Sequence, residues 1–162
     1  MGDISGPKLV KRRTMRRKDV RSLKDEAGAL LQDETNSIIQ AETEEGLMVY
    51  IIEGDIKLAR GKDRLFPTLQ NESVEGLPSI LVDMGAIPYV CNGADIMSPV
   101  ITGIDGEFGE GDLVVIRDER HRKPLAVGVA LVPSGEMREM PKGKAVENIH
   151  YVGDKLWKAT ST

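Results

Sequence analysis

Proline and glycine recur at short intervals in the second half of the sequence, and this spacing limits the elements that can form there. Six of the eight prolines lie between residues 77 and 162, and four glycines fall between positions 103 and 111. Because proline interrupts regular elements and glycine favours turns, this half of the chain predicts short strands joined by tight turns.

Four apolar runs in this half have the length and composition of strands. They cover residues 79–82, 96–101, 113–117 and 125–132. Residues 86–91, between the first two runs, are too few for a full amphipathic helix and predict one or two helical turns. The charged residues 118–123 predict a hairpin connection between the last two runs, and residues 148–157 contain a closing element.

The first half shows two different periodicities. Residues 8–15 mix β-branched and basic side chains without a breaker, which predicts a short edge strand, since lysine and arginine suppress unwanted strand pairing. From residue 18 to residue 31 the apolar side chains recur at helical spacing, which predicts an amphipathic helix of about four turns. These apolar positions are Val20, Leu23, Ala27, Leu30 and Leu31.

A hairpin is predicted further along this half. Residues 47–52 and 56–60 predict two strands, and Gly54 between them supplies the positive φ that a tight turn needs. Residues 64–69 predict another strand, which Pro67 confines to a sheet edge or ends. Residues 71–76 are interpreted as a linker to the second half.

Basic residues are concentrated at the N-terminus. Residues 1–24 hold nine lysines and arginines against two aspartates, a local charge of +7 in a chain whose net charge is −4. Such asymmetry is typical of contact with nucleic acid or an acidic surface, and also of a solvated face. Arg16, Arg17 and Lys18 stand at the start of the predicted helix, where positive charge opposes the helix dipole, so helix stability does not explain them.

Scarce residue types exclude several classes of site. The single cysteine, Cys91, cannot form an internal disulfide, and two histidines 29 positions apart give no zinc or iron–sulfur spacing, so neither a metal nor a cofactor is expected. The six aromatic residues are scattered singly, which argues against stacking a row of bases and places the rings mainly in the cores. No apolar stretch approaches the roughly 20 residues that span a bilayer, so a cytoplasmic protein with no membrane contact is expected.

Two glycine–alanine pairs flank the predicted helical turn. They are Gly85–Ala86 and Gly93–Ala94, eight residues apart, and Met97 follows the second pair. Such pairs let another backbone approach closely, and amide groups at a helix start can point at a phosphate. Tight packing within a β-rich domain explains the same pattern, so the pairs alone do not separate the two interpretations.

Three longer motifs carry a family resemblance. The run LVDMGAIPYVCNGADIMSP at residues 81–99 strongly resembles the opening of a PUA domain, the RNA-binding module named after pseudouridine synthases and archaeosine transglycosylases. KGKAVENIHYVGDKLW at residues 142–157 resembles the end of the malignant T-cell-amplified sequence family of translation proteins. LFPTL at residues 65–69 resembles that family's N-terminal signature. In this order the motifs resemble a translation machinery-associated protein of this family, of the simple archaeal type.

The resemblance implies an α+β protein. It implies an N-terminal α/β pre-PUA domain over residues 1–76, a C-terminal PUA β-pseudo-barrel over 77–158 and a tail at 159–162. The function it implies is non-catalytic RNA binding in translation, through the PUA domain and a basic N-terminal surface. The RNA would be structured, either the acceptor region of tRNA or small-subunit ribosomal RNA. Eukaryotic members act with density-regulated protein, but the cysteines often found near that contact have no counterpart before Cys91, so support for such a partner is weak.

The resemblance also assigns site residues. From the first motif, the carried-over RNA-binding residues are Gly85, Ala86, Gly93, Ala94 and Met97. In that context Arg12, Arg13, Arg16 and Arg17 of the basic segment are expected to contact phosphates, with Lys142 and Lys144 as a second, smaller basic pair. The sequence departs from many PUA domains at Val100, where a glycine often follows the proline. His150 is interpreted as a structural residue, because no motif places a partner for catalysis beside it.

Two other classes of function remain open. PUA modules are often appended to RNA-modifying enzymes, yet only about 76 residues precede this module, few for a catalytic domain. Those residues carry no recognisable nucleophile motif or phosphate loop. The alternative is a protein-interaction adaptor or accessory subunit of an RNA-modification or ribosome-associated complex, which would bind through the helix at 18–31 and the hairpin after it.

Overall fold

The computed structural model of the chain describes residues 8–32, 34–62 and 64–160, apart from the side chain of Thr160. The chain divides into two compact units. The first unit runs to Val74 and includes the C-terminal segment from Lys155, and the second unit is Glu75–Asp154. The sequence instead predicts a boundary after residue 76 and places residues 155–158 in the second domain. Within the described ranges, no helix has the length and apolar character that crossing a membrane requires.

The described part of the first unit forms a five-stranded antiparallel sheet whose strands lie in chain order. The strands are β1 (Leu9–Thr14), β2 (Ile39–Thr43), β3 (Met48–Ile52), β4 (Asp55–Arg60) and β5 (Leu65–Pro67). Helix α1 (Arg17–Ala27) connects β1 to β2, and the C-terminal helix α4 (Lys155–Thr160) contacts β4. The edge positions of β1 and β5 confirm the sequence prediction.

Helix α1 buries the face that its sequence pattern predicts. Val20, Leu23 and Ala27 are buried and pack in one core with Tyr50 and Leu58 of the sheet. The helix ends at Gly28, whose φ of 55° suits glycine, and a 3₁₀ turn follows over Gly28–Leu30. The regular helix is therefore shorter than the predicted 18–31.

The β3–β4 hairpin confirms the predicted turn. Glu53 and Gly54 have φ values of 52° and 88°, which suit a two-residue turn whose twist matches that of the strands. Strand β2 is not predicted from the sequence. Its inward side chains are Ala41 and Thr43, and such small residues give only a weak alternation signal.

Residues 71–76, interpreted from the sequence as a linker, contain the boundary between the two units, but they are folded rather than irregular. Asn71 is buried, and its Nδ2 donates to the carbonyls of Leu30 and Lys57 at 2.9 Å each. The following residues, Glu72–Gly76, form a 3₁₀ turn. The start of the segment is therefore hydrogen-bonded within the first unit, which the linker interpretation does not predict.

The second unit, whose residues are all described, forms a six-stranded sheet in the order β7–β11–β10–β9–β6–β8. The strands are β6 (Ser79–Val82), β7 (Ile96–Met97), β8 (Ile101–Asp105), β9 (Leu113–Asp118), β10 (Pro124–Ala130) and β11 (Lys144–Tyr151). β6 and β9 pair in parallel, and the other neighbours are antiparallel. Two short helices, α2 (Ile87–Val90) and α3 (Ser134–Glu139), complete the unit.

Two features of the second unit differ from the sequence prediction. The predicted strand 96–101 is interrupted by a 3₁₀ turn over Ser98–Val100, because Pro99 has no N–H for a sheet ladder. Helix α3 is not predicted, since Met137 is its one buried apolar side chain and gives no helical period. Both units combine a sheet with short helices, which confirms the α+β class.

Candidate nucleic-acid interface

An apolar cavity of about 390 Å³ opens on the second unit at the first motif. Its walls come from α2 and the 3₁₀ turn before it, from β7 and from the turn that leads into β8. Four of the five motif residues assigned from the sequence lie in this lining: Gly85, Ala86, Ala94 and Met97. Val100, where the sequence departs from many PUA domains, is also in the wall.

Two large side chains of the cavity wall are exposed to solvent. Tyr89 is 69% exposed and Met97 is 44% exposed. Within the single turn of α2, Ile87 and Val90 pack on the core of the unit, which leaves Tyr89 outside. The expectation that the rings lie mainly in the cores therefore fails at Tyr89. Sequence reasoning missed this residue, and only the helical turn at 86–91 pointed towards it.

The first glycine–alanine pair shapes the wall and does not offer the amide of Ala86 to a ligand. Asp83 precedes the 3₁₀ turn Met84–Ala86, and its Oδ1 accepts a hydrogen bond from the N–H of Ala86 at 2.9 Å. The methyl group of Ala86 packs in the core of the unit. Gly85 is exposed beside it. Of the amides at this helix start, that of Ala86 is thus bonded inside the protein and is not offered to a phosphate.

The second pair closes the turn after α2. Gly93 has a φ of 95°, and a Cβ built there would lie 3.2 Å from Cε1 and Oη of Tyr151. Glycine is needed at this position both for the backbone conformation and for the packing of the tyrosine ring. Gly93 is not in the cavity lining, whereas Ala94 beside it is.

Strand β11 does not line the cavity, but it is hydrogen-bonded to residues of the cavity wall. The Nδ2 of Asn148 donates to the carbonyls of Val90 at 3.1 Å and Ala94 at 3.0 Å, and its N–H donates to Oδ1 of Asp95 at 2.9 Å. The Nζ of Lys144 lies 3.0 Å from Oδ2 of the same aspartate. Burial tends to raise the pKa of Asp95, but the Asn148 and Lys144 donors outweigh it and hold that pKa below its usual range.

The two lysines of the predicted second basic pair, Lys142 and Lys144, have different surroundings in the structure. Lys144 is paired in register with Met97, and its Nζ contacts Asp95, so it touches two residues of the cavity wall without lining the cavity itself. Lys142 is exposed on the turn before β11 and is not in the lining.

His150 is enclosed within the second unit. It has no solvent exposure, and its Nδ1 lies 2.9 Å from Oδ2 of Asp154. This agrees with the structural interpretation of His150, although sequence reasoning missed the carboxylate four residues away. Across the described ranges, no group of three or more metal-ligating side chains comes together.

The basic residues of the first unit are spread over β1 and the start of α1. Arg12, Arg13, Arg16 and Arg17 are all exposed. Two of them have contacts within the unit: Nη2 of Arg13 lies 3.4 Å from Oε1 of Gln40, and Nε of Arg16 lies 3.2 Å from Oδ2 of Asp19. Asp19 in the first turn of α1 offsets part of the dipole cost that the basic residues impose.

An ion pair holds the C-terminal half of α1 against the sheet. Both terminal nitrogens of Arg60 donate to the Glu26 carboxylate at 2.7 Å, and the guanidinium lies 5.9 Å from the ring centroid of Tyr50. The Arg60 hydrogen bonds lower the pKa of Glu26 despite some desolvation. This pair links the basic helix to strand β4.

The fold and the cavity define a PUA-domain protein, and the family model of the PUA domain matches residues 78–152. The chain is 35% identical over 161 residues to protein MJ1432 of Methanocaldococcus jannaschii, covering 92% of this chain and 96% of that protein. It is 32% identical over 122 residues to translation machinery-associated protein 20 of Saccharomyces cerevisiae, covering 70% of this chain and 67% of that protein. The chain belongs to the family of translation machinery-associated protein 20 and the malignant T-cell-amplified sequence proteins.

Solved structures support the same assignment. A PUA-domain crystal structure from Aeropyrum pernix matches with a TM-score of 0.82 at 30% identity, covering 95% of this chain and 92% of that one. A structure from Pyrococcus horikoshii matches with a TM-score of 0.78 at 28% identity, covering 92% and 99%. The family resemblance carried by the three motifs and the predicted fold are both confirmed. The chain thus carries an RNA-binding module and has relatives named for the translation machinery.

Proposed function

We propose that this chain is a non-catalytic RNA-binding protein of translation that holds an unpaired nucleotide of a structured RNA in its apolar cavity. The RNA is the acceptor region of tRNA or a small-subunit ribosomal RNA. The observation that carries the proposal is the exposed ring of Tyr89 beside Met97 on the cavity wall. Exposed apolar groups gathered at a concave site mark a binding surface more often than isolated ones do.

The chemistry of the wall fits a nucleobase better than a phosphate. An exposed aromatic ring can stack on one base, which contributes about 1–3 kcal/mol, and it does so with little preference for sequence. Proteins recognise RNA chiefly at unpaired nucleotides, whose bases are free to leave the helix. The residues that line the cavity include no lysine or arginine, and Asp95 in the wall is paired with Lys144, so charge contributes little there.

The exposed cations of the first unit supply the phosphate contacts in this proposal. Arg12, Arg13, Arg16 and Arg17 would each add a term that weakens as salt concentration rises. RNA affinity therefore has two contributions: stacking of one base on Tyr89, and attraction between the exposed arginines and the RNA phosphates.

Two observations favour binding over catalysis. His150 is sealed from solvent by its surroundings and faces Asp154. Cys91 is half-buried against the core, and this burial raises the pKa of its thiol, which lowers the share of reactive thiolate.

The test is a fluorescence-anisotropy titration of the full chain with tRNA and with tRNA trimmed of its unpaired 3′ nucleotides. Tyr89→Ala should weaken binding to intact tRNA roughly tenfold, the effect of losing one stacked base. Tyr89→Phe keeps the ring and should bind like the wild type. The trimmed tRNA should bind the wild type and Tyr89→Ala equally.

A small-subunit RNA fragment in the same assay separates the two RNA classes. If Tyr89→Ala binds both RNAs as tightly as the wild type, the cavity does not hold a base and the proposal fails. Because Tyr89 is exposed, loss of its ring should leave the melting temperature unchanged, which circular dichroism can verify.

A further inference from the structure

A polar groove of about 500 Å³ runs along α1 in the first unit. The residues of α1 in its wall are Arg17, Val20, Arg21 and Lys24, and those of the segment before β2 are Thr35 and Asn36. Arg21 and Lys24 are not among the site residues assigned from the sequence. The groove therefore extends the basic surface along the helix, away from β1.

The cations of the groove form a row. Arg17, Arg21 and Lys24 are spaced i, i+4 and i+7, so they share one helix face and rise by about 6 Å and then about 4.5 Å along the axis. Arg16, outside the groove, is paired with Asp19. Among the residues that the structure describes, Arg17 and Arg21 form no ion pair with a carboxylate.

We propose that this groove binds the sugar–phosphate backbone of an RNA strand, an inference that rests on the proposed function. A row of cations along one helix face suits the successive phosphates of a strand. Guanidinium groups donate in pairs to phosphate oxygens. The Thr35 hydroxyl and the Asn36 amide on the opposite wall add hydrogen-bond donors for phosphate or ribose 2′-hydroxyl oxygens.

The groove assigns different roles to neighbouring cations on one helix. Arg21 lines it, whereas Lys18 is exposed on α1 outside it. Replacing either by glutamine removes one positive charge from the same helix. Long-range attraction would respond equally to the two changes, but a groove that grips phosphates responds to Arg21 alone.

The experiment measures tRNA binding to the full chain at several salt concentrations for the wild type, Arg21→Gln and Lys18→Gln. Arg21→Gln should weaken binding about fivefold at low salt and reduce the slope of log affinity against log salt by about 0.9, the value for one lost phosphate contact. Lys18→Gln should stay within about twofold of the wild type with an unchanged slope.

Three outcomes would overturn the proposal that the groove binds an RNA backbone. Equal losses for Arg21→Gln and Lys18→Gln would mean diffuse attraction, and an unchanged Arg21→Gln would mean no contact. An Arg21→Gln variant that loses binding to poly-glutamate but keeps tRNA binding would assign the groove to an acidic protein partner. The cavity is tested separately. If Tyr89→Ala binds RNA as tightly as the wild type, the base site in the cavity is refuted, but the proposal for the groove is not affected. If the wild-type chain binds neither tRNA nor small-subunit RNA, both the base site and the phosphate groove are refuted.

Discussion

The two units of this chain offer a ligand opposite kinds of surface. The first unit carries exposed cations on a strand and a helix, with a polar groove along that helix. The second unit offers an apolar cavity with one exposed ring, and its nearby lysine is held by an aspartate. Charge attracts at a distance and weakens with salt, whereas ring stacking needs contact and hardly depends on salt. We therefore expect the salt-dependent part of the affinity to come from the first unit and the salt-independent part from the second.

The largest effect is expected from removing the four predicted cations of the first unit. Replacing Arg12, Arg13, Arg16 and Arg17 by glutamine should lower tRNA affinity about 100-fold at low salt and reduce the salt slope by about 3.6, or about 0.9 for each lost phosphate contact. Tyr89→Ala should lower affinity without changing the slope. Parallel titrations at several salt concentrations measure both, and a slope change in Tyr89→Ala would break the division between the units.

Within the second unit, two glycines should differ in how much added volume they tolerate. A Cβ at Gly128 would lie 2.5 Å from Cγ1 of Val146 and 2.8 Å from the carbonyl oxygen of Glu147. Gly128→Ala should therefore lower the free energy of unfolding of this unit by about 2 kcal/mol, as overpacked sites do. Gly135→Ala is the matched control, because nothing lies within 4 Å of its added Cβ and the residue is helical. Chemical denaturation of the two variants would contradict the account if they lost equal stability.

The next largest effect on stability is expected from a buried carboxylate in the second unit. Asp118 accepts hydrogen bonds from the N–H groups of Arg120, His121 and Lys123 in the β9–β10 turn. Burial alone would raise its pKa, but these donors outweigh burial and lower it. Asp118→Asn should cost about 1.5 kcal/mol of stability at neutral pH.

The pH dependence of Asp118 follows from the direction of that shift. Because the folded pKa lies below the unfolded value, the stabilisation is complete above the unfolded pKa and disappears as pH falls through the folded pKa. The stability gap between the wild type and Asp118→Asn should therefore close on acidification. Thermal melts over a pH series measure it, and a gap that stays constant into strong acid would rule out the carboxylate as its source.

The smallest effect is expected for the corresponding carboxylate of the first unit. Glu26 is bonded to Arg60 but is about half exposed, so Glu26→Gln should cost about 0.5 kcal/mol at neutral pH. The Arg60 contact lowers the pKa of Glu26, so this contribution is also lost on acidification. Added salt should shrink it, whereas the Asp118 effect should persist. Unfolding curves at low and high salt would refute the contrast if both effects responded alike.

Local signals explain the parts of the fold that the sequence predicts. The hairpin at Gly54, the helix face of Val20 and Leu23, and the edge position of Pro67 each depend on a residue type with a strong backbone or packing preference. The elements that were missed, β2 and α3, bury few large apolar side chains and so leave no clear period.

The sequence predicts where the candidate site lies, but not which side chains it exposes to a ligand. The motif residues Gly85, Ala86, Ala94 and Met97 do meet at one cavity. The exposure of Tyr89 was not predictable, because it depends on which side of the four-residue helix α2 packs on the core. The groove cations, Arg21 and Lys24, have the spacing of one helix face, but the opposite wall comes from Thr35 and Asn36 on another segment.

The central claim is that the cavity holds an unpaired nucleotide. Ultraviolet crosslinking of the full chain to tRNA, followed by mass spectrometry of the crosslinked peptides, tests it most directly. We expect the 3′-terminal nucleotides to crosslink to the peptide that contains Tyr89 and Met97, and this crosslink to persist at high salt. Terminal nucleotides crosslinked instead to the turn around Arg120, with none at Tyr89, would contradict it.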